Sequence, residues 1–378
     1  MKRFGVGGGS PRRGLLGNEN VGLRPLGWWA LFAALALIAV ATLPVLTQGE
    51  EKEGDRKGEI FAVADPYGDD FGAGELVYPL REGWGRGDLD LLRFSASRVD
   101  GGTRFEARLA RSIRAPMRRA VDFTGIQETD IARLPFYTFN LDAYIDTSGS
   151  EGEEALEGWG GERAMMPGRL AELPPGAGWE KAVILTPAPA QARGELVRTV
   201  AAALEDDPGT SFSHWLQSPG QSPGQAPSPL PTGRQLRRAV EEALSQRVHF
   251  PQQVHVRGRE ITFFVPDSFL GGAARAEWGY VVVITGAELQ QRVKIPLLAP
   301  YTRPESAGLA MPVVSGRSKD AFGGGAWDQP LQPWLIDILE GPGADQGAIL
   351  RSFDPTAGTL ARVPPVVPAI LPAADPED

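Results

Sequence analysis

Short segments in which apolar and polar residues alternate, separated by Gly, Pro and Asp, run along the chain from Glu59 onward. A period of two puts successive side chains on opposite faces of a strand, and turn residues between such segments are typical of β-sandwiches. The 47 glycines and 33 prolines favour the same structure, because both residue types build turns and interrupt helices. The sequence therefore predicts an all-β fold, an antiparallel β-sandwich. The predicted strands are residues 60–64, 89–97, 103–109, 136–145, 181–186, 253–256, 260–265, 278–285 and 292–297.

The clearest alternation lies at residues 136–145, where Leu141 and Ile145 share one face and Asp142 and Asp146 share the other. This pattern predicts a strand with one face against the core. Four residues along a straight strand span about 13 Å. The two aspartates are then too far apart to bind one ion or to act as a carboxylate pair at a glycosidic bond.

The alternation is interrupted once in the middle of the chain. Two segments there, 194–204 and 234–246, have the apolar spacing of amphipathic helices, and Thr232 precedes the second as a candidate cap. Between them lies a low-complexity run of Pro, Gly and Ser at 217–231. We predict a helical insertion in one loop of the sandwich, at 193–247, with a disordered tip.

An uncharged apolar stretch at 26–46, LGWWALFAALALIAVATLPVL, is long enough to cross a hydrocarbon core of about 30 Å. Five basic residues and one acid precede it, whereas acids follow it at 50–55. The positive-inside rule then predicts that the N-terminus is cytoplasmic. The alternative is a cleaved signal peptide, with Ala39-Val40-Ala41 as its cleavage site.

The predicted organisation therefore has five parts. They are a cytoplasmic segment at 1–25, a transmembrane anchor at 26–47, a tether at 48–58, the sandwich at 59–368 and a tail at 369–378. This arrangement predicts a single-pass protein of a bacterial inner membrane whose C-terminal domain lies on the extracytoplasmic or periplasmic side.

Charge and cysteine content exclude several classes of function. The formal net charge is -9, which argues against a nucleic-acid partner. The chain has no cysteine, so it has no disulfide, thiolate nucleophile or cysteine-based metal site. It also lacks a G-x-S-x-G elbow, an H-E-x-x-H motif and a Walker loop. We therefore predict no enzymatic activity and no catalytic residues.

The segment DPYGDDFGAGE at 65–75 is the stretch of the chain richest in functional groups. Its Asp65, Asp69, Asp70 and Glu75 are candidate calcium ligands, because a hard cation takes six to eight oxygens and glycine turns bring carbonyls within reach. The alternative is that these aspartates cap turns and accept bonds from backbone N–H groups. A structural calcium ion is the one cofactor that the sequence suggests.

Flat aromatic side chains bind the apolar face of a sugar ring, and the chain has nine tryptophans. Trp159, Trp215 and Trp327 lie in glycine-rich or polar segments and are candidate ligand-binding residues, although packing is the alternative for each. Trp179 and Trp278 lie on predicted strands and are expected in the core.

Several motifs occur in an order that resembles a known family. They are DPYGDDFGAG at 65–74, Tyr78-Pro79, LDLLRF at 89–94, LDAYIDT at 141–147, MPG at 166–168, VPDSFLG at 265–271, WGY at 278–280, FGGG at 322–325, IDIL at 336–339 and QGAILRSFD at 346–354. The set resembles the C-terminal domain of glucodextranase, a DOMON-like, surface-layer-homology-like binding module.

The resemblance covers nearly all of the chain from Glu59 to about Pro368 apart from the helical insertion. It implies a jelly-roll or DOMON-like β-sandwich related to family 9 carbohydrate-binding modules, with a binding role rather than a catalytic one. The expected function is that of a membrane-anchored extracytoplasmic module for carbohydrate or envelope polysaccharide. The alternative is a protein-interaction or envelope-assembly scaffold whose helical insertion contacts a partner.

Overall fold

Two five-stranded sheets pack face to face in the structure, a computed structural model. It describes residues 58–80, 84–113, 136, 138–148, 162–206, 216, 231–287, 310–314, 321–324 and 332–370, all within one compact unit, Lys57–Asp378. The strands are β1 Glu59–Ala64, β2 Leu91–Val99, β3 Gly102–Leu109, β4 Phe139–Asp146, β5 Ala171–Glu172, β6 Lys181–Leu185, β7 Val248–His249, β8 Val254–Arg257, β9 Glu260–Pro266, β10 Gly279–Gly286, β11 Asp337–Ile338 and β12 Ala361–Arg362. The helices are α1 Pro189–Asp206, α2 Gly233–Arg247, α3 Asp267–Leu270 and α4 Gln346–Leu350, followed by a 3₁₀ turn at Pro368–Ile370.

The first sheet has the strand order β1-β2-β3-β9-β8 and is antiparallel throughout. The second has the order β11-β10-β4-β6-β7 and is antiparallel except for the β6–β7 pair. Eight of the nine predicted strands fall on described residues and are confirmed, with ends that differ by a few residues. The ninth, at 292–297, lies outside the described residues.

The core between the sheets is built around aromatic rings. Phe105 of β3 stacks on Phe94 of β2 and on Phe263 of β9, with centroids 5.6 and 5.7 Å apart. Tyr280 of β10, in the other sheet, lies 4.6 Å from Phe61 of β1. Phe105 and Phe263 occupy inward-facing positions of strands whose buried and less buried residues alternate, as the period-two pattern of the sequence predicts.

A second core lies on the outer face of the second sheet. Leu196 and Val200 of α1, and Leu236 and Val240 of α2, are buried there with apolar side chains of β6 and β10. The two predicted helices are thus confirmed. They form a third layer of the fold, inserted between β6 and β7. The predicted disordered tip at 217–231 lies outside the described residues except for its last residue.

Both faces of β4 are buried, so the prediction of a strand with a single inward face was wrong. Leu141 and Ile145 face the core between the sheets, whereas Tyr144 faces the core beneath the helices. The polar face of β4 is covered because α1 and α2 pack over the second sheet. Asp142 is therefore fully buried.

Asp142 is held by a buried ion pair with Arg169. The guanidinium Nε lies 2.6 Å from Oδ2 of Asp142 and Nη2 lies 3.1 Å from Oδ1, so the pair is bidentate. The side chains are 1% and 0% exposed for Arg169 and Asp142. Tyr144 donates its hydroxyl to Asp142 at 2.9 Å, and Arg169 Nη1 donates to the carbonyl of Pro167 at 3.1 Å. The pair thus connects β4 to the turn before β5.

Among the described helices, none is long and apolar enough to cross a membrane. The predicted anchor at 26–47 and the segment at 1–25 lie outside the described residues.

Candidate functional site

The glycine-rich loop at 65–75 follows β1 and packs against the chain around β11. The N–H of Gly72 donates to the carbonyl of Ile336 at 2.9 Å, and the N–H of Ala73 donates to Oε1 of Gln332 at 3.1 Å. Gly72 has a φ of 59°, and a Cβ at this position would lie 3.0 Å from the carbonyl oxygen of Leu335. Glycine is therefore required for this close approach.

Three carboxylates converge beneath this loop. Asp65 directly follows β1, Asp69 lies in the loop and Asp337 begins β11. Each offers a carboxylate oxygen, and these oxygens all lie within 4.8 Å of one another. β1 and β11 are the edge strands of the two sheets. The cluster therefore joins one edge of the first sheet to one edge of the second.

Backbone N–H groups fix three carboxylates in and beside the cluster. The N–H of Glu340 donates to Oδ1 of Asp65 at 2.7 Å, and the N–H of Leu91 donates to Oδ2 of Asp337 at 2.5 Å. Oδ2 of Asp90, a fourth buried acid, accepts from the N–H of Gly68 at 2.9 Å. One oxygen of each carboxylate is thus used to hold the local backbone.

The remaining oxygens have no hydrogen-bond partner among the described residues. They are Asp65 Oδ2, both oxygens of Asp69, Asp90 Oδ1 and Asp337 Oδ1. No ion pair between described residues involves these four side chains. An unpaired buried charge is strongly unfavourable, so this arrangement needs a proton or a cation to neutralise it.

The electrostatics of the cluster agree with its geometry. Burial raises the pKa of Asp337 well above its ordinary value, and the charges of Asp65 and Asp69 raise it further. Burial is also the main cause of the raised pKa values of Asp65 and Asp69, with further contributions from neighbouring acids. Burial raises the pKa of Asp90 to about 6. Without a cation the cluster therefore binds protons more tightly than isolated carboxylates do.

The raised pKa of Asp90 predicts a pH dependence of stability. Its pKa rises from 3.8 to about 6 in the folded protein, so the folded state holds the proton more tightly than the unfolded chain. The resulting stabilisation is complete below about pH 4 and is lost as the pH rises through about 6. In chelator-containing buffer, Asp90→Asn should gain stability relative to wild type over this range, by at most about 1.4 kcal/mol per pH unit. Urea unfolding at each pH measures this difference, and a difference independent of pH would contradict the prediction.

Of the four predicted calcium ligands, the structure brings together Asp65 and Asp69 only. Asp70 accepts hydrogen bonds from the hydroxyl of Tyr78 and, at 2.6 Å, from the N–H of Gly87. Glu75 is exposed. Asp70 thus has the turn-stabilising role that the sequence left as the alternative.

Sequence reasoning missed Asp337 and Asp90, which lie far from the loop along the chain. Each is a single acid within an apolar run, Ile336-Asp337-Ile338 and Leu89-Asp90-Leu91. An acid flanked by apolar residues on both sides is expected to be buried with its neighbours and so to need a partner. The flanking apolar residues therefore indicated that both acids are buried. Nothing in the local sequence indicated that the two apolar runs lie close together in the fold.

Gln346 is a further residue that the sequence did not indicate. Its side chain hydrogen-bonds both to the glycine-rich loop and to β11. Its Nε2 donates to the carbonyl of Asp69 at 2.5 Å and to that of Gly72 at 3.3 Å. Its Oε1 accepts from the N–H of Ile338 at 2.8 Å. One buried amide thus holds the turn that carries Asp69 beside the strand that carries Asp337.

Asp142 and Asp146 do not form a pair. Asp142 is bound by Arg169, whereas Oδ1 of Asp146 accepts from the N–H of Ser148 at 3.1 Å and from its hydroxyl at 2.5 Å. The carboxylates that do converge include Asp337, which is fully buried. A glycosidic bond could not reach that side chain without rearrangement of the fold.

The predicted sugar-binding tryptophans, Trp159, Trp215 and Trp327, lie outside the described residues. Trp179 and Trp278 are buried, as expected for strand positions. In the described part of the chain the most exposed large apolar side chain is Tyr67, at 81%. It lies in the loop between Asp65 and Asp69.

A family model described as the C-terminal binding module, SLH-like, of glucodextranase matches residues 60–365, about four fifths of the chain. The chain belongs to this family. The match begins in β1, ends just after β12 and includes α1 and α2. It confirms the resemblance suggested by the ordered motifs, and it is a match to a binding module rather than to a catalytic domain. No curated protein matches the sequence.

Proposed function

We propose that this glucodextranase-type module is a membrane-anchored, extracytoplasmic binding module for carbohydrate or envelope polysaccharide, without catalytic activity of its own. The observation that carries the proposal is the family match over residues 60–365. The apolar stretch at 26–46, with basic residues before it and acids after it, supports the anchor and its orientation.

Tyr67 supports the choice of carbohydrate. An aromatic ring that is 81% exposed on an anchored loop is available to stack on a sugar ring. The N–H of the adjacent Gly68 is bonded to Asp90, which holds the loop backbone in place. The loop itself is bonded to the segment before β11 through Gly72. A rigid aromatic platform loses little conformational entropy when a ligand binds.

The helical layer does not favour the alternative of a protein-interaction scaffold. The apolar side chains of the described helices that would attract a partner, including Leu196, Val200, Leu236 and Val240, are buried against the second sheet. Surface residues of α2 such as Arg237, Arg238 and Glu241 are charged and exposed.

Affinity electrophoresis tests the proposal. The full chain, in a detergent whose head group contains no sugar, is run through native gels with and without dextran or polysaccharide from a bacterial envelope. We expect at least one polysaccharide to slow the protein relative to a reference protein. Tyr67→Ala should lower the affinity about fivefold, because stacking is worth about 1 kcal/mol.

Tyr67→Phe is the matched control, since it keeps the ring and should keep the affinity. Equal mobility with and without every polysaccharide would overturn carbohydrate binding. Release of reducing sugar from dextran by the purified chain would overturn the claim that it has no catalytic activity.

A further inference from the structure

We propose that Asp65, Asp69 and Asp337 bind a calcium ion that joins the glycine-rich loop to β11. The proposal does not depend on what the module binds, since it concerns how the two sheet edges are held together. It replaces the ligand set that the sequence predicted, because Asp70 accepts hydrogen bonds from Tyr78 and Gly87 and Glu75 is exposed.

The spacing of the three carboxylates suits calcium. Calcium binds oxygen at about 2.4 Å, so two ligands on opposite sides of one ion lie about 4.8 Å apart. One carboxylate oxygen from each of Asp65, Asp69 and Asp337 lies within 4.8 Å of the other two, which is compatible with one shared ion. Magnesium binds oxygen at about 2.1 Å, demands near-ideal octahedral geometry and releases its waters reluctantly. Carboxylates from three separate segments favour the larger, more adaptable ion.

Asp337 supplies an independent reason to expect an ion. Its side chain is 0% exposed, its Oδ2 is bonded to the N–H of Leu91, and its Oδ1 has no hydrogen-bond partner among the described residues. Asp69 gives a stronger reason to expect an ion, because neither of its buried oxygens has a hydrogen-bond partner among the described residues. Buried carboxylate oxygens are normally hydrogen-bonded or bound to metal. Asp337 and Asp69 each contribute one of the carboxylate oxygens that converge in the cluster.

A dication also offsets the accumulated charge. Asp90, fully buried beside the cluster, adds a fourth acid, and no described Arg or Lys pairs with any of the four. In a medium of low dielectric constant such charges repel one another strongly. Calcium would convert this repulsion into attraction between β1, the loop and β11.

The experiment is a calcium titration of the full chain after its metals have been removed with EDTA. We expect binding heat by calorimetry and a rise in melting temperature of about 5 °C when calcium reaches about 100 times its dissociation constant. Magnesium at the same concentration should give a much smaller rise. Asp69→Asn is the most informative variant, because the wild-type carboxylate accepts no side-chain hydrogen bond that the change could remove.

The stability of Asp69→Asn should change sign with calcium. In EDTA the variant should melt at a higher temperature than wild type, since one repelling charge is gone. In calcium it should melt at a lower temperature, since a ligand is gone. Asp337→Asn should likewise lose the calcium response, while its amide oxygen can still accept from Leu91.

Two controls distinguish this site from nonspecific binding and from the set predicted by sequence. Asp100→Asn removes an exposed acid at the β2–β3 turn, and Glu75→Gln removes the exposed acid of the loop. Both should keep the full calcium response. The absence of heat and of any shift up to about 10 mM calcium, with a folded wild-type protein, would overturn the proposal. Equal shifts in wild type and Asp69→Asn would overturn it as well.

Discussion

Arg169→Ala is expected to lower the free energy of unfolding by about 3–5 kcal/mol. The change leaves the carboxylate of Asp142 in the core beneath the helices without its cation, and both groups are 1% exposed or less. The hydroxyl of Tyr144 would remain as a donor to Asp142, which is not enough to replace a bidentate guanidinium. Denaturant unfolding followed by circular dichroism measures the loss.

The chain contains a matched control at its surface. Arg98 and Asp267 form a bidentate pair of the same chemistry, at 2.7 and 2.9 Å, but their side chains are 47% and 29% exposed. Arg98→Ala should therefore cost about 1 kcal/mol or less. A double variant, Asp142→Leu with Arg169→Met, should recover much of the loss, because no buried charge remains. Equal losses for Arg169→Ala and Arg98→Ala would contradict this account of the second core.

Gly324→Ala is expected to destabilise the protein by about 3 kcal/mol or more, because it combines backbone strain with a steric clash. Gly324 has a φ of 96°, and a Cβ there would lie 2.3 Å from the carbonyl oxygen of Glu75. The preceding Gly323 forms a two-way backbone bridge with Val77, with N–O distances of 2.7 and 3.1 Å. The substitution would push apart the glycine-rich loop and the FGGG segment.

Gly101→Ala separates the two causes of this loss. Gly101 also has a positive φ, 76°, but a Cβ there meets nothing within 4 Å. Its substitution should cost about 1–2 kcal/mol, the price of the left-handed conformation alone. If thermal unfolding showed the same loss for both variants, the close packing of Gly324 on the loop would be wrong.

Strands such as β3 and β9 were predictable from a period-two pattern, whereas β10 was predictable as a short apolar run rich in valine. The burial of both faces of β4 was not predictable, because the polar residues on one face are typical of a face exposed to solvent. That face is buried because α1 and α2 pack over the second sheet. Nothing near Asp142 in sequence indicates that its partner is Arg169, 27 residues later. Alternation predicts which residues share a face, and it says nothing about what covers that face.

The candidate site was only half predictable for a similar reason. Asp65 and Asp69 are recognisable because acids and glycines are concentrated in one loop. Asp337 lies on β11, a strand of two residues, which is too short to show any periodicity. Its place beside Asp65 depends on how the edges of the two sheets meet, and that is a property of the tertiary fold.

The proposed carbohydrate-binding role is tested most directly by a glycan array probed with the full chain in a sugar-free detergent. Circular dichroism should first show that the protein is folded. We expect reproducible binding to at least one class of glycan, and weaker binding of Tyr67→Ala to the same class. Folded wild-type protein that binds no glycan on the array would contradict it.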